Sequence, residues 1–445
     1  MSKKICVIGT GYVGLIAAVG LADFGNEVIA SDVDERKIEG LKQGRVPFYE
    51  PGIQGYLERN VNSGRLSFTT DQGRGIRRAE VVFIAVGTPG QEDGQADLSL
   101  VEQVVEIIAA NLNAYKVIVC KSTVPIGTNR KIKNRLKALL KAADREAEFD
   151  VVSNPEFLRE GRGVYDFFHP DRTVLGCESE RSRQVMTDVY RTLNLISTPF
   201  VWCNPETAEL IKYASNAFLA AKITFINQMA NLAEAAGADI HVIAKAMGMD
   251  GRISPKFLHP GPGYGGSCFP KDTQALVKTG EAWGVDMSLI RTVIEANEEQ
   301  KMRMVRKFTG LLGGDLTNKT AAVLGLTFKS ETDDIRESPA IKIVAALLKA
   351  GARVQAHDPQ GMANFSRLFP EVKCCQDEFE ALAGADGVLL LTEWNEYRSL
   401  DLHKAGNVMR EKIILDTRNL LDPREVRAWG FVYQGVGRGE APAGQ

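Results

Sequence analysis

The stretch KICVIGTGYVG, residues 4–14, decides the fold of the first part of the chain. An apolar strand from Ile5 to Ile8 leads directly into Gly9, Gly11 and Gly14, and a helical pattern runs on from Leu15 to about Phe24. Glycines at this spacing, between a strand and a helix, permit a tight turn and let a pyrophosphate approach the helix N-terminus. The stretch therefore predicts a Rossmann-type dinucleotide-binding unit.

Asp32 indicates which dinucleotide is bound. It ends the second predicted strand at the distance that the fingerprint requires, where its carboxylate can accept hydrogen bonds from the adenosine ribose hydroxyls. A carboxylate there repels a 2′-phosphate, so NAD is favoured over NADP. Arg36 and Lys37 keep NADP open, although Lys37 could instead touch the adenosine ribose.

The first third of the chain alternates short apolar runs with helical patterns, which predicts a parallel sheet built from βαβ units. The predicted strands are Ile5–Ile8, Glu27–Ala30, Val81–Val86, Lys116–Cys120 and Asp150–Val152. The loops that follow them are polar and rich in Gly or Pro: residues 9–11, 32–34, 87–89, 122–125 and 153–156. Ligands of open α/β sheets bind at this carboxyl edge.

The rest of the chain predicts two further domains. Residues 205–310 are helical, and because nearly every position from Leu210 to Ile226 is apolar, that helix is expected to be buried on most of its surface. From Thr320 a second alternating pattern predicts another parallel sheet, whose first turn lacks the three glycines. The predicted architecture is α/β, with two Rossmann-like domains (1–200 and 313–435) joined by a central helical domain (201–312) and followed by a frayed tail (436–445).

Composition narrows the class of protein. The chain has 445 residues, a formal net charge of −2 and no basic surplus that would suit nucleic acid or an anionic membrane. Its seven cysteines have no paired spacing and no metal-site pattern, which suits a reducing compartment. We expect a cytoplasmic protein without a metal, a nucleic-acid partner or a membrane segment.

Cys268 is the main candidate for catalysis. A cysteine is most often a small hydrophobic residue buried in the core. Here, however, Gly265 and Gly266 allow a ligand to approach, and Lys271 can favour the thiolate. A thiolate can attack an aldehyde, and the thiohemiacetal can lose a second hydride to become a thioester that water cleaves. Together with the dinucleotide fingerprint, Cys268 suggests a dehydrogenase that holds its substrate covalently.

Other polar residues occupy informative places. Lys212 and Asn216 share one face of the apolar central helix, where they need polar partners such as a sugar or an ordered water. Glu156 lies at the sheet edge, where it could act as a general base towards water, bind a hydroxyl or cap a helix. Thr123 could hydrogen-bond that water. Arg336 and Arg418 suit phosphate or carboxylate, or a surface salt bridge.

Taken together, these segments resemble the nucleotide-sugar dehydrogenases that oxidise UDP-glucose or GDP-mannose at C6. The resemblance runs from Lys4 to about Asp422, and its most specific segments are residues 121–125, 154–158, 265–272 and 416–419. Residues 261–272 and 87–94 are closest to the UDP-glucose branch. The triplet Glu156-Phe157-Leu158 argues against the N-acetylmannosamine branch, and GDP-mannose remains the nearest alternative.

The resemblance implies an NAD-dependent four-electron oxidation of UDP-glucose to UDP-glucuronate by a homodimer or higher oligomer. Its implied roles are Cys268 as nucleophile, Lys212 with Asp272 at the alcohol proton and oxyanion, and Glu156 with Thr123 at the hydrolytic water. The implied cofactor contacts are Gly9, Gly11, Tyr12, Val13, Gly14, Asp32, Lys37, Thr88, Ser122, Thr123, Arg159, Glu160, Lys271 and Arg336. The implied substrate contacts are Glu156, Phe157, Leu158, Arg159, Lys212, Asn216, Phe257, Gly263, Tyr264, Gly265, Phe328, Lys329 and Arg418, with Arg252 from a second subunit.

Two other classes remain open from the residues alone. A two-electron dehydrogenase of the 3-hydroxy-acid type also joins a dinucleotide domain to a helical one, but it needs neither the cysteine nor the roughly 125 residues after Thr320. An NAD-binding sensor would keep Asp32 and have no use for Cys268, Lys212 and Glu156 together.

Overall fold

The structure, a computed structural model, describes residues 2–438 and divides into two compact units. The first unit comprises Met1–Ser215 and Lys278–Gly284, and the second comprises Asn216–Val277 and Val285–Gln445. Each unit contains one sheet covered by helices, so the predicted pair of Rossmann-like domains with intervening helices is confirmed.

The first unit is built on an eight-stranded sheet. Its strands are β1 Lys4–Ile8, β2 Glu27–Ser31, β3 Leu66–Thr69, β4 Val81–Ile84, β5 Lys116–Cys120, β6 Phe149–Ser153, β7 Thr173–Gly176 and β8 Phe200–Cys203. Their order is β3-β2-β1-β4-β5-β6-β7-β8, and all neighbours pair in parallel except β6 and β7. The antiparallel β7 was not predicted, nor were β3 and β8, because each contributes only four residues of weak pattern.

Helices cover both faces of this sheet. They are α1 Tyr12–Asp23, α2 Glu35–Lys42, α3 Ile53–Asn62, α4 Gln72–Arg78, α5 Ser99–Asn111, α6 Thr128–Ala142, α7 Gly163–Phe168, α8 Glu180–Val189 and α9 Arg191–Leu195. Alternate residues of the central strands enter two separate apolar cores, one on each face. This is the burial expected of a parallel sheet, whose strands are apolar on both sides.

The long helix α10, Pro205–Ala236, begins in the first unit and ends in the second. The prediction that residues 210–226 are buried on most of their surface holds for 13 of those 17 residues, which are buried or half-buried, but it misses one exposed side of the helix. Leu210, Phe218, Phe225 and Leu232 are exposed, and their spacing of seven or eight residues places them along one side of the helix. The apolar composition therefore reflects two faces, one packed within the chain and one open.

The second unit combines the remaining helices with a six-stranded parallel sheet. The strands are β9 Thr320–Leu324, β10 Arg353–His357, β11 Lys373–Cys374, β12 Gly387–Leu390, β13 Ile413–Asp416 and β14 Val432–Gln434, in the order β11-β10-β9-β12-β13-β14. The helices are α11 Ile240–Gly248, α12 Phe269–Ala282, α13 Ser288–Leu311, α14 Pro339–Lys349, α15 Met362–Leu368, α16 Glu378–Leu382, α17 Asn395–Arg398, α18 Leu402–Val408 and α19 Pro423–Ala428.

The segment after β14 was predicted to be a frayed tail, but its first residues are packed. Val436 is fully buried, and the amide of Gly437 donates a 2.8 Å hydrogen bond to Glu234 Oε1. Residues 436–438 thus pack against the second unit, while residues 439–445 lie outside the described part of the chain. Over residues 2–438, no helix is both long and apolar enough to cross a bilayer.

Candidate active site

The first turn of α1 forms a cradle with room for a pyrophosphate. Its N-cap, Gly11, supplies no side chain to the exposed amides, and a Cβ added there would meet nothing within 4 Å. Gly14 is needed for a different reason, since a Cβ there would lie 2.0 Å from the carbonyl oxygen of Gly9. Open space before a helix N-terminus with unsatisfied N–H groups fits a dinucleotide phosphate. Tyr12 and Val13 belong to this same turn.

Asp32 lies at the end of β2, where its carboxylate is organised by its neighbours. Oδ2 accepts hydrogen bonds from the Thr10 amide at 2.8 Å and from the Thr10 hydroxyl at 2.9 Å, and Lys37 Nζ lies 3.1 Å away. Burial alone would raise the pKa of Asp32, but these donors and the Asp34 amide together lower it. The carboxylate is therefore ionised at neutral pH, which is the state that accepts ribose hydroxyl donors.

Two further predicted cofactor residues meet at the ends of β4 and β5. The Thr88 hydroxyl donates a 2.8 Å hydrogen bond to the carbonyl oxygen of Thr123, and the Ser122 hydroxyl donates one of 2.6 Å to Val86. The carboxyl ends of neighbouring parallel strands converge in this way, so the loops predicted at this edge do lie together.

Glu50 holds the loop that carries Arg159 and Glu160, and no sequence pattern indicated this role. Its carboxylate accepts a 2.6 Å hydrogen bond from the Tyr12 hydroxyl and one of 2.7 Å from the Gly161 amide. Burial, together with this carboxylate, raises the pKa of Tyr12, so its phenol stays protonated. The Arg159 side chain turns to Asp166, with Nε 2.8 Å from Oδ2.

Glu156 and Lys212 form a buried ion pair in the first unit, with Lys212 Nζ 3.0 Å from Glu156 Oε1. Glu156 Oε2 also accepts a 2.6 Å hydrogen bond from the Leu158 amide. Burial would raise the pKa of Glu156, but Lys212 and the Leu158 amide lower it overall. The polar partner that Lys212 needs is thus a carboxylate of the chain itself.

A second buried lysine, Lys121, lies in the same polar cluster. Its Nζ is 3.3 Å from Asn154 Oδ1, which also accepts a 2.6 Å hydrogen bond from the Tyr190 hydroxyl. Burial lowers the pKa of Lys121 to about 8, opposed by Glu156 and reinforced by Lys212. Lys121 was not singled out as a site residue, although its place directly after the apolar strand Lys116–Cys120 was a signal.

Phe157, predicted to contact substrate, lies beneath two cations. The guanidinium carbon of Arg172 is 3.5 Å from its ring centroid, and Lys212 Nζ is 5.3 Å from it. Both separations are within the range of cation–π attraction. Phe157 therefore helps to hold Lys212 in place, while the Leu158 backbone holds Glu156.

In the second unit, Cys268 stands immediately before α12. The Asp272 amide donates a 2.8 Å hydrogen bond to the Cys268 carbonyl oxygen, so Cys268 occupies the cap position of the helix. The Ser267 hydroxyl lies 3.5 Å from Sγ. A helix N-terminus carries partial positive charge, which stabilises a developing thiolate.

Asp272 connects two other predicted site residues. Its Oδ2 accepts a 2.6 Å hydrogen bond from Asn216 Nδ2, and its Oδ1 lies 2.6 Å from Lys271 Nζ. That Lys271 favours the Cys268 thiolate stays a prediction, and its ammonium group pairs with Asp272, its neighbour in sequence. Asn216 likewise finds its partner within the chain.

The loop before Cys268 packs closely on the C-terminal sheet domain. A Cβ on Gly265 would lie 2.2 Å from the Glu337 carbonyl oxygen, and one on Gly266 would lie 2.9 Å from the Phe328 ring. Arg418 joins this cluster, since its Nη2 donates a 3.1 Å hydrogen bond to the Phe328 carbonyl oxygen. The glycines are needed for close approach of backbone and ring.

The remaining predicted residues of this unit vary in placement. Lys329 Nζ lies 5.6 Å from the Phe328 ring centroid, and the Phe257 ring lies 6.2 Å from that of Phe269. Arg252 and Arg336 are largely exposed, and each binds an aspartate two residues earlier in the chain.

This chain is similar in sequence and in fold to known proteins of one family. The NAD binding, central and UDP binding domains of the UDP-glucose/GDP-mannose dehydrogenase family match residues 3–194, 206–299 and 322–423. A UDP-glucose 6-dehydrogenase of Rhizobium meliloti is 49% identical over 98% of this chain and 99% of its own. A UDP-glucose dehydrogenase structure from Pyrobaculum islandicum superposes with a TM-score of 0.91 at 37% identity, covering 99% and 98%. A GDP-mannose dehydrogenase ternary complex from Pseudomonas aeruginosa superposes with a TM-score of 0.54 at 29% identity, covering 97% of this chain and 99% of its own.

Proposed function

Because this chain belongs to the UDP-glucose/GDP-mannose dehydrogenase family, we propose that it oxidises UDP-glucose at C6 to UDP-glucuronate with NAD as acceptor. The observation that carries the proposal is Cys268 at the start of α12, at the end of a buried glycine loop that packs on Phe328. A thiol in that place is what a dehydrogenase needs in order to carry an alcohol beyond the aldehyde.

NAD, when bound, would supply the hydride acceptor, one molecule for each of the two oxidations at C6. The residues that would hold it are the α1 amides, Asp32 and Lys37. The arrangement of these residues fits NAD, because the space before α1 is open to a pyrophosphate and the Asp32 carboxylate is ionised and can accept hydrogen bonds from the ribose hydroxyls. Overall, one UDP-glucose, two NAD and one water give UDP-glucuronate, two NADH and three protons.

The chain's own groups manage the alcohol and the aldehyde. Asp272, acting through a water molecule, takes the C6 hydroxyl proton, and the Lys212 ammonium group stabilises the oxyanion. The Cys268 sulfur adds to the aldehyde carbon, which gives a thiohemiacetal whose C6–H is oxidised to the thioester. Asn216 holds Asp272 in position by its amide. Each of these groups is buried or half-buried, where an electrostatic interaction is stronger than in water.

Glu156 and Thr123 position the water that cleaves the thioester. The water oxygen bonds to the carbonyl carbon, the C–S bond breaks, and the Cys268 thiol is released with the carboxylate product. Because Glu156 is ionised and bonded to Lys212, its remaining lone pairs can orient a water and accept its proton.

UDP-glucose is preferred over GDP-mannose for two reasons. The UDP-glucose 6-dehydrogenase of Rhizobium meliloti is 49% identical to this chain. The UDP-glucose dehydrogenase structure from Pyrobaculum islandicum superposes with a TM-score of 0.91, whereas the GDP-mannose dehydrogenase structure gives a TM-score of 0.54. Residues 322–423 also match a domain described as UDP binding. Phe328, Lys329 and Arg418, which lie in that domain, would bind the nucleotide.

We further infer a homodimer through α10. Phe218, Phe225 and Leu232 have exposed fractions of 67%, 45% and 61%, and they repeat every seven residues along the same side of the helix. A second copy of the helix can cover such a stripe, and a two-fold interface would pair it with itself. Arg252 of the partner subunit would then reach the substrate, as the family resemblance implies.

The deciding experiment measures NADH formed per nucleotide sugar consumed, with UDP-glucose and GDP-mannose each limiting in turn. About two NADH per UDP-glucose, with none from GDP-mannose, is the expected result for the covalent four-electron course. A ratio of about one would show that the aldehyde escapes and would remove Cys268 from the mechanism. Signal from GDP-mannose alone would keep the chemistry and change the substrate.

A further inference from the structure

The loop that leads to Cys268 is buried although it has no regular secondary structure. Every residue from Pro260 to Gly266 is buried, and none of them belongs to a helix or strand. The backbone N–H and C=O groups of a buried loop need hydrogen-bond partners, because each unsatisfied group costs free energy. Pro260 and Pro262 lack an N–H and so reduce the number of donors, but the others must be bonded.

Side-chain amides on α10 and α13 provide those partners. Asn297 forms two hydrogen bonds with Tyr264, since its Oδ1 accepts from the amide at 2.7 Å and its Nδ2 donates to the carbonyl at 3.1 Å. Gln300, three residues later on α13, donates to the Gly261 carbonyl at 2.9 Å. Asn227 on α10 accepts from the Gly261 amide at 2.8 Å. We refer to Asn227, Asn297 and Gln300 as the amide clamp.

Within the amide clamp, Gln300 is itself held in orientation. Asn231 Nδ2 donates a 2.9 Å hydrogen bond to Gln300 Oε1, which leaves the amide N–H of Gln300 directed to the loop. All three clamp residues are buried. The loop matches them in shape, since a Cβ on Gly263 would lie 2.9 Å from Asn297 Oδ1.

We propose that Asn297 and Gln300 are positioning residues for the Cys268 thiol. The proposal rests on the proposed function, in which Cys268 bonds to C6. Only three residues separate Tyr264 from Cys268, so a displacement of the Tyr264 backbone reaches the thiol. A misplacement of about 1 Å can slow a bond-forming step by about a hundredfold. The clamp acts through the loop and does not itself touch the reacting atoms.

The test separates the two oxidations in a single turnover. Asn297→Leu keeps the branched shape of the side chain, Gln300→Met keeps approximately its length, and both changes remove the hydrogen bonds. With UDP-glucose bound and NAD in excess, the first NADH should form at a rate within about twofold of wild type, because hydride loss from the alcohol needs no thiol. The second NADH should slow about 10- to 100-fold, because it follows attack by the displaced sulfur.

Gln355→Met is the matched control. Gln355, in the same unit, also clamps a loop, since its amide donates to the carbonyl oxygens of Ala381 at 3.1 Å and Ala383 at 3.0 Å. Both NADH phases should stay at wild-type rates in this variant. If Asn297→Leu does not fold, Asn297→Asp replaces it, because the carboxylate still accepts from the Tyr264 amide and loses only the donor to the carbonyl.

Hydrogen–deuterium exchange of the unliganded protein gives a readout that does not depend on activity. The peptide that carries residues 261–268 should exchange about tenfold faster in Asn297→Leu than in wild type, as expected for two lost buried hydrogen bonds. Unchanged exchange, or two NADH phases that slow in equal proportion, would overturn the proposal. A wild-type enzyme that forms one NADH per sugar would instead overturn the proposed function, while the exchange result would still report on the clamp.

Discussion

Lys212 Nζ lies 3.0 Å from Glu156 Oε1, and both side chains are almost completely buried. A buried carboxylate and ammonium stabilise each other's charged forms only while both are present, since removal of one leaves the other without compensation. The pair therefore couples the group proposed to act on the alcohol with the group proposed to act on the hydrolytic water.

Removal of the Lys212 ammonium should affect turnover far more than substrate affinity. In Lys212→Met, kcat should fall at least about a hundredfold, because the oxyanion loses the cation that stabilises it. KM for UDP-glucose should stay within about threefold of wild type, since Lys212 acts mainly on the transition state. Initial-rate kinetics at saturating NAD measure both constants.

Lys307→Met is the control for loss of a buried lysine–glutamate pair. Lys307 Nζ lies 2.6 Å from Glu234 Oε1 in the second unit, away from the Cys268 loop contacts described above. It should lower thermal stability without a change in kcat. Equal losses of kcat in the two variants would assign Lys212 a structural role only.

Lys121 should make stability depend on pH in the alkaline range. Its pKa in the folded chain is about 8, against 10.5 for an ordinary lysine, so between these values the unfolded chain binds more protons and stability rises with pH. Below about pH 8 the buried Lys121 ammonium lowers the free energy of unfolding by its full amount. The difference between the two pKa values corresponds to about 3 kcal/mol.

Lys121→Met should accordingly raise the melting temperature near neutral pH, and the gain should shrink as the pH approaches about 10. Differential scanning calorimetry of both proteins across this range measures the difference. The contrary result is a gap between the two melting temperatures that does not change with pH, which would mean that Lys121 keeps an ordinary pKa in the folded chain.

The fold was predictable because its signals are local. The glycine fingerprint at residues 9–14, the apolar strands and the loops after them are readable within short windows. The structure confirms the α/β architecture and adds the short strands β3, β7 and β8, of which β3 and β8 form the two edges of the sheet. Those strands were missed because their pairing with neighbours, rather than their own pattern, makes them strands.

The candidate site residues come from sequence motifs and their roles stay predictions, whereas the pairings between their side chains could not be predicted from the sequence. Cys268, Lys212, Glu156 and Asp272 were identified from motifs, yet nothing in the sequence indicated that Lys271 bonds to Asp272. Lys121 was overlooked, since a lysine beside a strand is ordinarily solvated. Side-chain partners depend on burial and on contacts between distant segments, and short windows do not contain that information.

Asp32 should determine both affinity for NAD and selectivity against NADP. Asp32→Asn keeps the shape of the side chain and removes a charged acceptor, so the Kd for NAD should rise about tenfold or more. The preference for NAD over NADP should fall, because no charge remains to repel a 2′-phosphate. Titration calorimetry with each dinucleotide measures both effects without turnover.

Asp34→Asn provides the comparison for this change. Asp34 is in the same loop, but its carboxylate caps α2 by accepting from the Lys37 amide at 3.1 Å. NAD affinity should change little in this variant. An equal loss of affinity in both variants would point to disruption of the loop and away from a ribose contact by Asp32.

The exposed stripe of α10 should hold the dimer together. Phe218→Glu combined with Phe225→Glu places charge at two positions of the stripe, and burying it across a two-fold interface is unfavourable. Light scattering after size exclusion should show a dimer for wild type and a monomer for the double variant. Leu195→Glu, an exposed apolar residue outside α10, should remain dimeric. A dimeric double variant would place the interface elsewhere.

A mixing experiment tests whether Arg252 acts across that interface. Cys268→Ser and Arg252→Ala should each be nearly inactive alone, because one lacks the nucleophile and the other lacks the partner's guanidinium at every site. After unfolding and refolding of an equal mixture, half of the dimers carry one subunit of each kind. One of their two sites then combines an intact Cys268 with an intact Arg252, so about a quarter of wild-type activity should return. If Arg252 serves its own subunit instead, each mixed dimer has no complete site and the mixture stays inactive.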